Sequence, residues 1–147
     1  MAERLLFELV SPERLLVSEE VEMVVVPGTE GNFGVLKGHS LLISTLRPGV
    51  IDVYQNDRNV ISDRIFVAGG FAEVTPERCT VLADEAVEVS DLDATAVEAN
   101  IHALEGARDN LRGTTDDEGR RELAQVERDI AVAEAKLQAI RAAAAAH

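Results

Sequence analysis

The sequence predicts an antiparallel β-sandwich or barrel up to about Ser90, followed by an antiparallel hairpin of two helices over residues 91–147. Two observations carry this reading. Before Ser90, short β-branched runs alternate with breaks made of glycine, proline and charged pairs, the pattern of closely spaced strands. After Ser90 the composition turns to Ala, Glu, Arg and Leu without a proline, and apolar residues recur every three or four positions.

LLFELV (5–10) reads as a first strand ending before Ser11-Pro12, and VEMVVVPG (21–28) alternates until Pro27-Gly28. VIDVY (50–54), RIFVAGG (64–70), FAEVTPE (71–77) and CTVLAD (79–84) follow. QNDRN (55–59) suits a hairpin loop because Asn and Asp tolerate tight-turn backbone angles. A proline-containing turn within FAEVTPERCTVLAD predicts a second hairpin. Ser90 with Asp93 three residues on resembles a capping box that opens the first helix. Val97, Ile101, Leu104 and Leu111 mark one face of that helix, and GTTDDEG (113–119) interrupts it. Leu123, Val126, Ile130, Ala133, Leu137 and Ile140 form a narrow apolar seam on the second helix. An alanine-rich seam buries little area per turn, so the hairpin is expected to be a detachable element.

Charge and composition exclude several functions. The chain has 147 residues, 46% of them hydrophobic, and a net charge of −13. It carries no tryptophan, one tyrosine and four phenylalanines. The core must therefore be built from Val, Leu, Ile and Ala, and base stacking is hardly available. An acidic surface repels phosphates, which argues against a nucleic-acid partner. Cys79 is the single cysteine, so an internal disulfide is excluded and a reducing compartment fits. No apolar run approaches the roughly 20 residues needed to span a bilayer, and Glu3 and Arg4 sit where a signal peptide would begin its apolar region. Residues 91–118 hold two arginines against eight acids, whereas 119–147 hold five basic residues against four acids. Arg120, Arg121, Arg128, Lys136 and Arg141 thus make the second helix the one net-positive element, able either to offset helix one or to meet an acidic partner.

The segment GNFGVLKGHSLLISTLRPG (31–49) raises the question of chemistry. A phosphate loop places lysine after its last glycine at the start of a helix, but here Lys37 precedes Gly38 and a β-branched run follows. Gly31, Gly34 and Gly38 also lack the G-x-G step of a dinucleotide site. His39, His102 and His147 sit in different segments without metal-ligand spacing. Cys79 lies in an alternating strand and reads as a small buried hydrophobe, while Asp84 and Glu85 are neighbours at a strand end that point apart. No nucleophile, base and oxyanion site assemble, which indicates a binding or coupling protein without a catalytic residue, metal or cofactor.

Three ordered motifs carry a family resemblance: PGTEGNFGVLKGHSLLISTLRPG (27–49), FVAGGFAEVTPERCTVLADEA (66–86), and Asp91-Leu92-Asp93 opening the helices. Together they make the chain similar to the epsilon subunit of bacterial F-type ATP synthases. The resemblance implies a sandwich of about ten strands followed by two antiparallel helices. It implies a non-catalytic subunit of the central rotor stalk, bound to the gamma shaft and seated on the ring of c subunits, which transmits torque between proton flow and ATP chemistry. Such a subunit lies at the cytoplasmic face of the bacterial inner membrane, peripheral to it and not inserted. By position, Glu30, Gly31 and Asn32 fall in the turn the family sets against the ring. Ser11, His39 and Ser44 fall where it meets gamma. Gly34 and Gly38 would let this thin loop approach another backbone. In the family the helices can extend along gamma, where basic residues, here Arg120, Arg121 and Arg128, would meet alpha and beta subunits of the head and block hydrolysis. Helix one departs from relatives with several basic residues there, which argues against strong inhibition. Nucleotide-binding members carry I/L-D-x-x-R-A at this helix start; here Asp93 is retained but Ala96 replaces the arginine, so nucleotide binding is not expected.

Overall fold

A computed structural model describes residues 4–145, and Glu3 and His147 lie outside the described residues. The chain divides into two compact units, one ending at Ser90 and the other beginning at Asp91.

The first unit contains β1 (Leu5–Val10), β2 (Leu15–Val21), β3 (Met23–Gly28), β4 (Gly31–Val35), β5 (Leu42–Leu46), β6 (Gly49–Tyr54), β7 (Asp63–Val67), β8 (Gly70–Val74), β9 (Arg78–Ala83) and β10 (Ala86–Glu88). Hydrogen bonding links them in the order β10-β7-β6-β3-β5-β8-β9-β1-β2, with β4 added to β3. All pairs are antiparallel except β1 with β9. At the β3–β5 step only Gly28 and Leu46 are register partners, so the sheet curls there into two facing halves, as in a sandwich. Alternation builds the interior. Leu5, Phe7 and Leu9 of β1 are buried, as are Val24 and Val26, Ile51 and Val53, Ala72 and Val74, and Cys79 and Val81. Phe7 is the one aromatic ring in the buried cluster, which is otherwise aliphatic apart from Cys79.

Three strands go beyond the runs legible in the sequence. β2 is an edge strand in which Ser18, Glu19 and Glu20 dilute the apolar alternation. β4 contains Gly31 and Gly34 and reads as a turn until its pairing with β3 is seen. β10 has three residues.

The second unit is the helical pair α1 (Ala94–Leu111) and α2 (Asp117–Ala145), preceded by a short 3-10 turn at Val89–Asp91. Ser90 lies in that 3-10 turn, so the expected capping box does not form. Asp93 is the N-cap, and its Oδ1 accepts from the Thr95 amide at 3.0 Å. The helix break is also shorter than 113–119. Asp116 accepts from the Gly119 amide at 2.7 Å and starts α2 early, so residues 117–119 are helical. Val97, Ile130 and Ala133 of the predicted seam are buried, together with Ala139; Leu123, Val126, Leu137 and Ile140 are half-buried.

Candidate functional site

The β3–β4 hairpin closes through a two-residue turn, Thr29-Glu30, with Gly28 opposite Gly31. Gly31 takes φ of 134°, a left-handed value that a side chain would oppose. This turn is pinned to the end of β5 and to Arg47 just beyond it. The Thr29 amide donates to the Thr45 carbonyl at 3.1 Å, and the two threonine hydroxyls lie 3.1 Å apart. The Arg47 amide donates to the Pro27 carbonyl at 3.0 Å. Its guanidinium spans the turn, donating to the Gly28 carbonyl through one nitrogen and to Asn32 Oδ1 at 2.5 Å through the other. Glu30, Gly31 and Asn32 themselves are exposed.

Between this turn and β5 runs an open groove of about 500 Å³, lined by residues 28–33 and 42–45. It gathers Glu30, Gly31 and Asn32, expected to face the ring, with Ser44, expected to face gamma. Ser44 is half-buried, on the same pleat as Leu42 and Leu46, and its hydroxyl donates to the Thr45 carbonyl at 3.1 Å. Ser11 and His39 do not join it. Ser11 begins the β1–β2 turn, its amide bonded to the Arg14 carbonyl at 2.9 Å. His39 is half-buried in the loop before β5, where its Nδ1 donates to the Ser40 carbonyl at 2.7 Å. That loop is tied to the β8–β9 turn by the Gly38 amide and the Pro76 carbonyl at 2.6 Å. Gly38 takes φ of 89° and needs to be glycine, but Gly34 has no such constraint, and a Cβ there would make only ordinary contacts.

Apolar exposure surrounds the groove. Leu41, Leu42 and Ile43 are 76%, 38% and 73% exposed, three consecutive large side chains that a folded chain in isolation gains nothing by showing to water. Across β8, β9, β1 and β2, Phe71 is in register with Leu82, Leu82 with Val10, and Val10 with Leu15. Phe71, Leu82 and Leu15 are 44%, 36% and 54% exposed. The neighbouring row is polar: Glu73 pairs with Thr80 and Thr80 with Glu8, whose Oε1 accepts from the Thr80 hydroxyl at 3.3 Å. A rimmed apolar stripe is the surface expected of a protein interface. Sequence reasoning missed these residues, although their signal was present: Phe71 and Leu82 are apolar on the outer phase of strands whose inner phase is already apolar.

On the helices, Arg120, Arg121 and Arg128 are exposed; Arg120 lies 3.8 Å from Asp117, and Arg128 donates to Gln125 at 2.8 Å. A second groove of about 980 Å³ runs along the hairpin, where Leu123, Ile130 and Leu137 meet Arg108, Arg112 and Arg141. Asp93 is engaged as a cap, and Ala96 beside it is exposed. Among the described residues, two ionisable groups have shifted acidities, and neither forms a catalytic pair. Burial pushes the Cys79 thiol up to about 12, the opposite of an activated nucleophile. Asp52 is raised by desolvation, opposed by the charge of its register partner Arg64. Among the described residues, no group of three or more His, Cys, Asp or Glu is placed to hold a metal ion.

Residues 4–89 match the family model described as the ATP synthase, Delta/Epsilon chain, beta-sandwich domain. The chain is 55% identical over 139 residues to the ATP synthase epsilon chain of Rhodospirillum rubrum, covering 95% of this chain and 98% of that one. It is 52% identical over 143 residues to the epsilon chain of Rhodospirillum centenum, covering 95% and 94%. Among solved structures, it aligns at TM-score 0.72 and 25% identity with a chain of the Euglena gracilis mitochondrial ATP synthase OSCP/F1/c-ring assembly, covering 98% of this chain and 82% of that one. A chain of the Tetrahymena thermophila mitochondrial ATP synthase central stalk and c-ring shares the fold, at TM-score 0.60 and 11% identity, covering 92% and 97%.

Proposed function

The chain belongs to the ATP synthase epsilon-chain family, and from that premise we propose that its sandwich joins the gamma shaft to the c-subunit ring. It is a stalk subunit of the complex and not the catalytic one. None of its described helices is long and apolar enough to cross a membrane. Its place is the cytoplasmic face of the bacterial inner membrane, held there through its partners.

The observation that carries this reading is the run Leu41-Leu42-Ile43, exposed between His39 and Ser44 and bordering the groove that holds the Glu30–Asn32 turn. Its side chains, with Ser11, His39 and Ser44, form the gamma-facing surface, and Phe71, Leu82 and Leu15 extend that surface across the sheet. Burying such side chains on association removes apolar area from water at roughly 25 cal/mol per Å² before the costs of ordering. The turn at Glu30, Gly31 and Asn32 faces the ring. A polar, exposed, rigidly pinned turn suits a contact that must carry sideways force. The helical hairpin is a regulatory element, in which Arg120, Arg121 and Arg128 meet an acidic surface of the alpha and beta subunits when the helices extend. Asp93 without a motif arginine supports no nucleotide role for the helix start.

Replacing Leu41 and Ile43 together by serine tests the shaft assignment. The doubly substituted chain should stay folded, since both side chains already face water, yet lose at least about tenfold in gamma affinity. Unchanged co-purification with gamma would refute the assignment.

A further inference from the structure

We propose that Arg47 is a positioning residue for the Glu30–Asn32 turn, setting the geometry in which the turn meets its partner; this rests on the ring-contact reading given above. Five contacts tie the region together: Thr29 to Thr45 through backbone and through hydroxyls, the Arg47 amide to Pro27, the Arg47 guanidinium to Gly28, and the guanidinium to Asn32. Only the last reaches past the turn onto β4. The threonine contacts hold Thr29, on the near side of the two-residue loop. Arg47 holds both sides at once, because its two terminal nitrogens present a planar fork to a carbonyl on β3 and a side-chain oxygen on β4. Arginine is suited to this for a second reason. Its charge sits against Gly28 and Asn32, the residues two before and two after Glu30, in a chain of net charge −13, so it biases the turn's local potential as well as its shape. Asn32, an exposed residue, has its Oδ1 committed to the guanidinium, which leaves the amide nitrogen of the same group as the donor for a partner. A partner would therefore meet a donor at Asn32 and a carboxylate at Glu30, in an orientation that Arg47 sets. Because Arg47 is only half-buried, it can do this without being part of the apolar core.

Two measurements on Arg47→Gln separate this assignment from the ring reading itself. In the isolated full chain, hydrogen exchange at the amides of residues 29–32 should rise by about tenfold or more, while β1, β8 and β9 keep their protection. Unchanged exchange at the turn would show that Arg47 does not hold it, and equal acceleration in all strands would show a general structural role instead. In ATP synthase depleted of this subunit and reconstituted with variants, Arg47→Gln and Asn32→Ala should each weaken functional rebinding about tenfold, with no further loss when the two are combined. Arg47→Lys should recover part of the loss, since it keeps the charge but not the fork. If Asn32→Ala weakens rebinding and Arg47→Gln does not, the positioning assignment is wrong and the turn remains a contact. If Arg47→Gln loosens the turn but neither variant alters rebinding, the ring contact lies elsewhere and the assignment's functional half falls with it.

Discussion

Cys79 is fully buried in β9, with its thiol pushed up to about 12 by desolvation. It should therefore resist thiol reagents in the native chain across the neutral range and react only when the sandwich opens, with a rate that follows unfolding. Rapid modification of native protein would mean the strand is not closed. Asp52 gives a pH dependence of defined sign. Its folded pKa lies above the unfolded value of 3.8, chiefly through desolvation, so the native state binds the proton more tightly than the unfolded chain. That contribution is fully present below the unfolded value and is lost as pH rises through the folded one. Asp52→Asn should flatten this fall in stability on the alkaline side of the window, as read from urea midpoints at a series of pH values. A slope that survives the substitution must come from another group. The burial of Cys79 was legible in the alternation of its strand, whereas the desolvation of Asp52 was not, because it depends on strand partners such as Arg64 that no local pattern encodes.

At the scale of elements, helix α1 begins at a cap that the sequence located to within a few residues. Asp93, not Ser90, caps the helix, holding the free amide of Thr95. Asp93→Ala should cost about 1 kcal/mol, the usual value of an N-cap, and lower the helical signal of the full chain on warming before the β signal changes. Coincident loss of both signals with no shift in midpoint would deny the cap its role. Strand positions were legible where one face alternated cleanly, as in β1 and β9, because period-two burial leaves a direct trace. They were illegible in β2, where the edge position admits Ser18, Glu19 and Glu20, and in β4, where glycines suit the close β3–β4 hairpin. The proposed docking surface was partly legible. Its turn could be found from glycine spacing and family resemblance, but Arg47 looked like the end of a motif, since its role depends on β3 and β5 meeting at Gly28 and Leu46. The same applies to the stripe through Phe71, Leu82, Val10 and Leu15. Four residues from four strands become neighbours only through the register of a parallel and two antiparallel pairs.

On the scale of the whole molecule, the chain is two units with unequal duties. The sandwich has its own buried aliphatic core and displays the exposed apolar run and the pinned turn. The hairpin has a thin, alanine-rich seam and carries the exposed arginines. Under the proposed function, coupling falls to the first unit and regulation to the second. A chain ending at Ser90 should keep the cooperative unfolding of the sandwich, because none of the core cluster lies beyond that residue. The most direct measurement of the central claim is ATP-driven proton pumping by ATP synthase depleted of this subunit and reconstituted with residues 1–90 alone. The account predicts that the folded truncated chain binds gamma and restores pumping per ATP hydrolysed to the level of the full chain. A truncated chain that folds and binds but leaves hydrolysis uncoupled from pumping would contradict it.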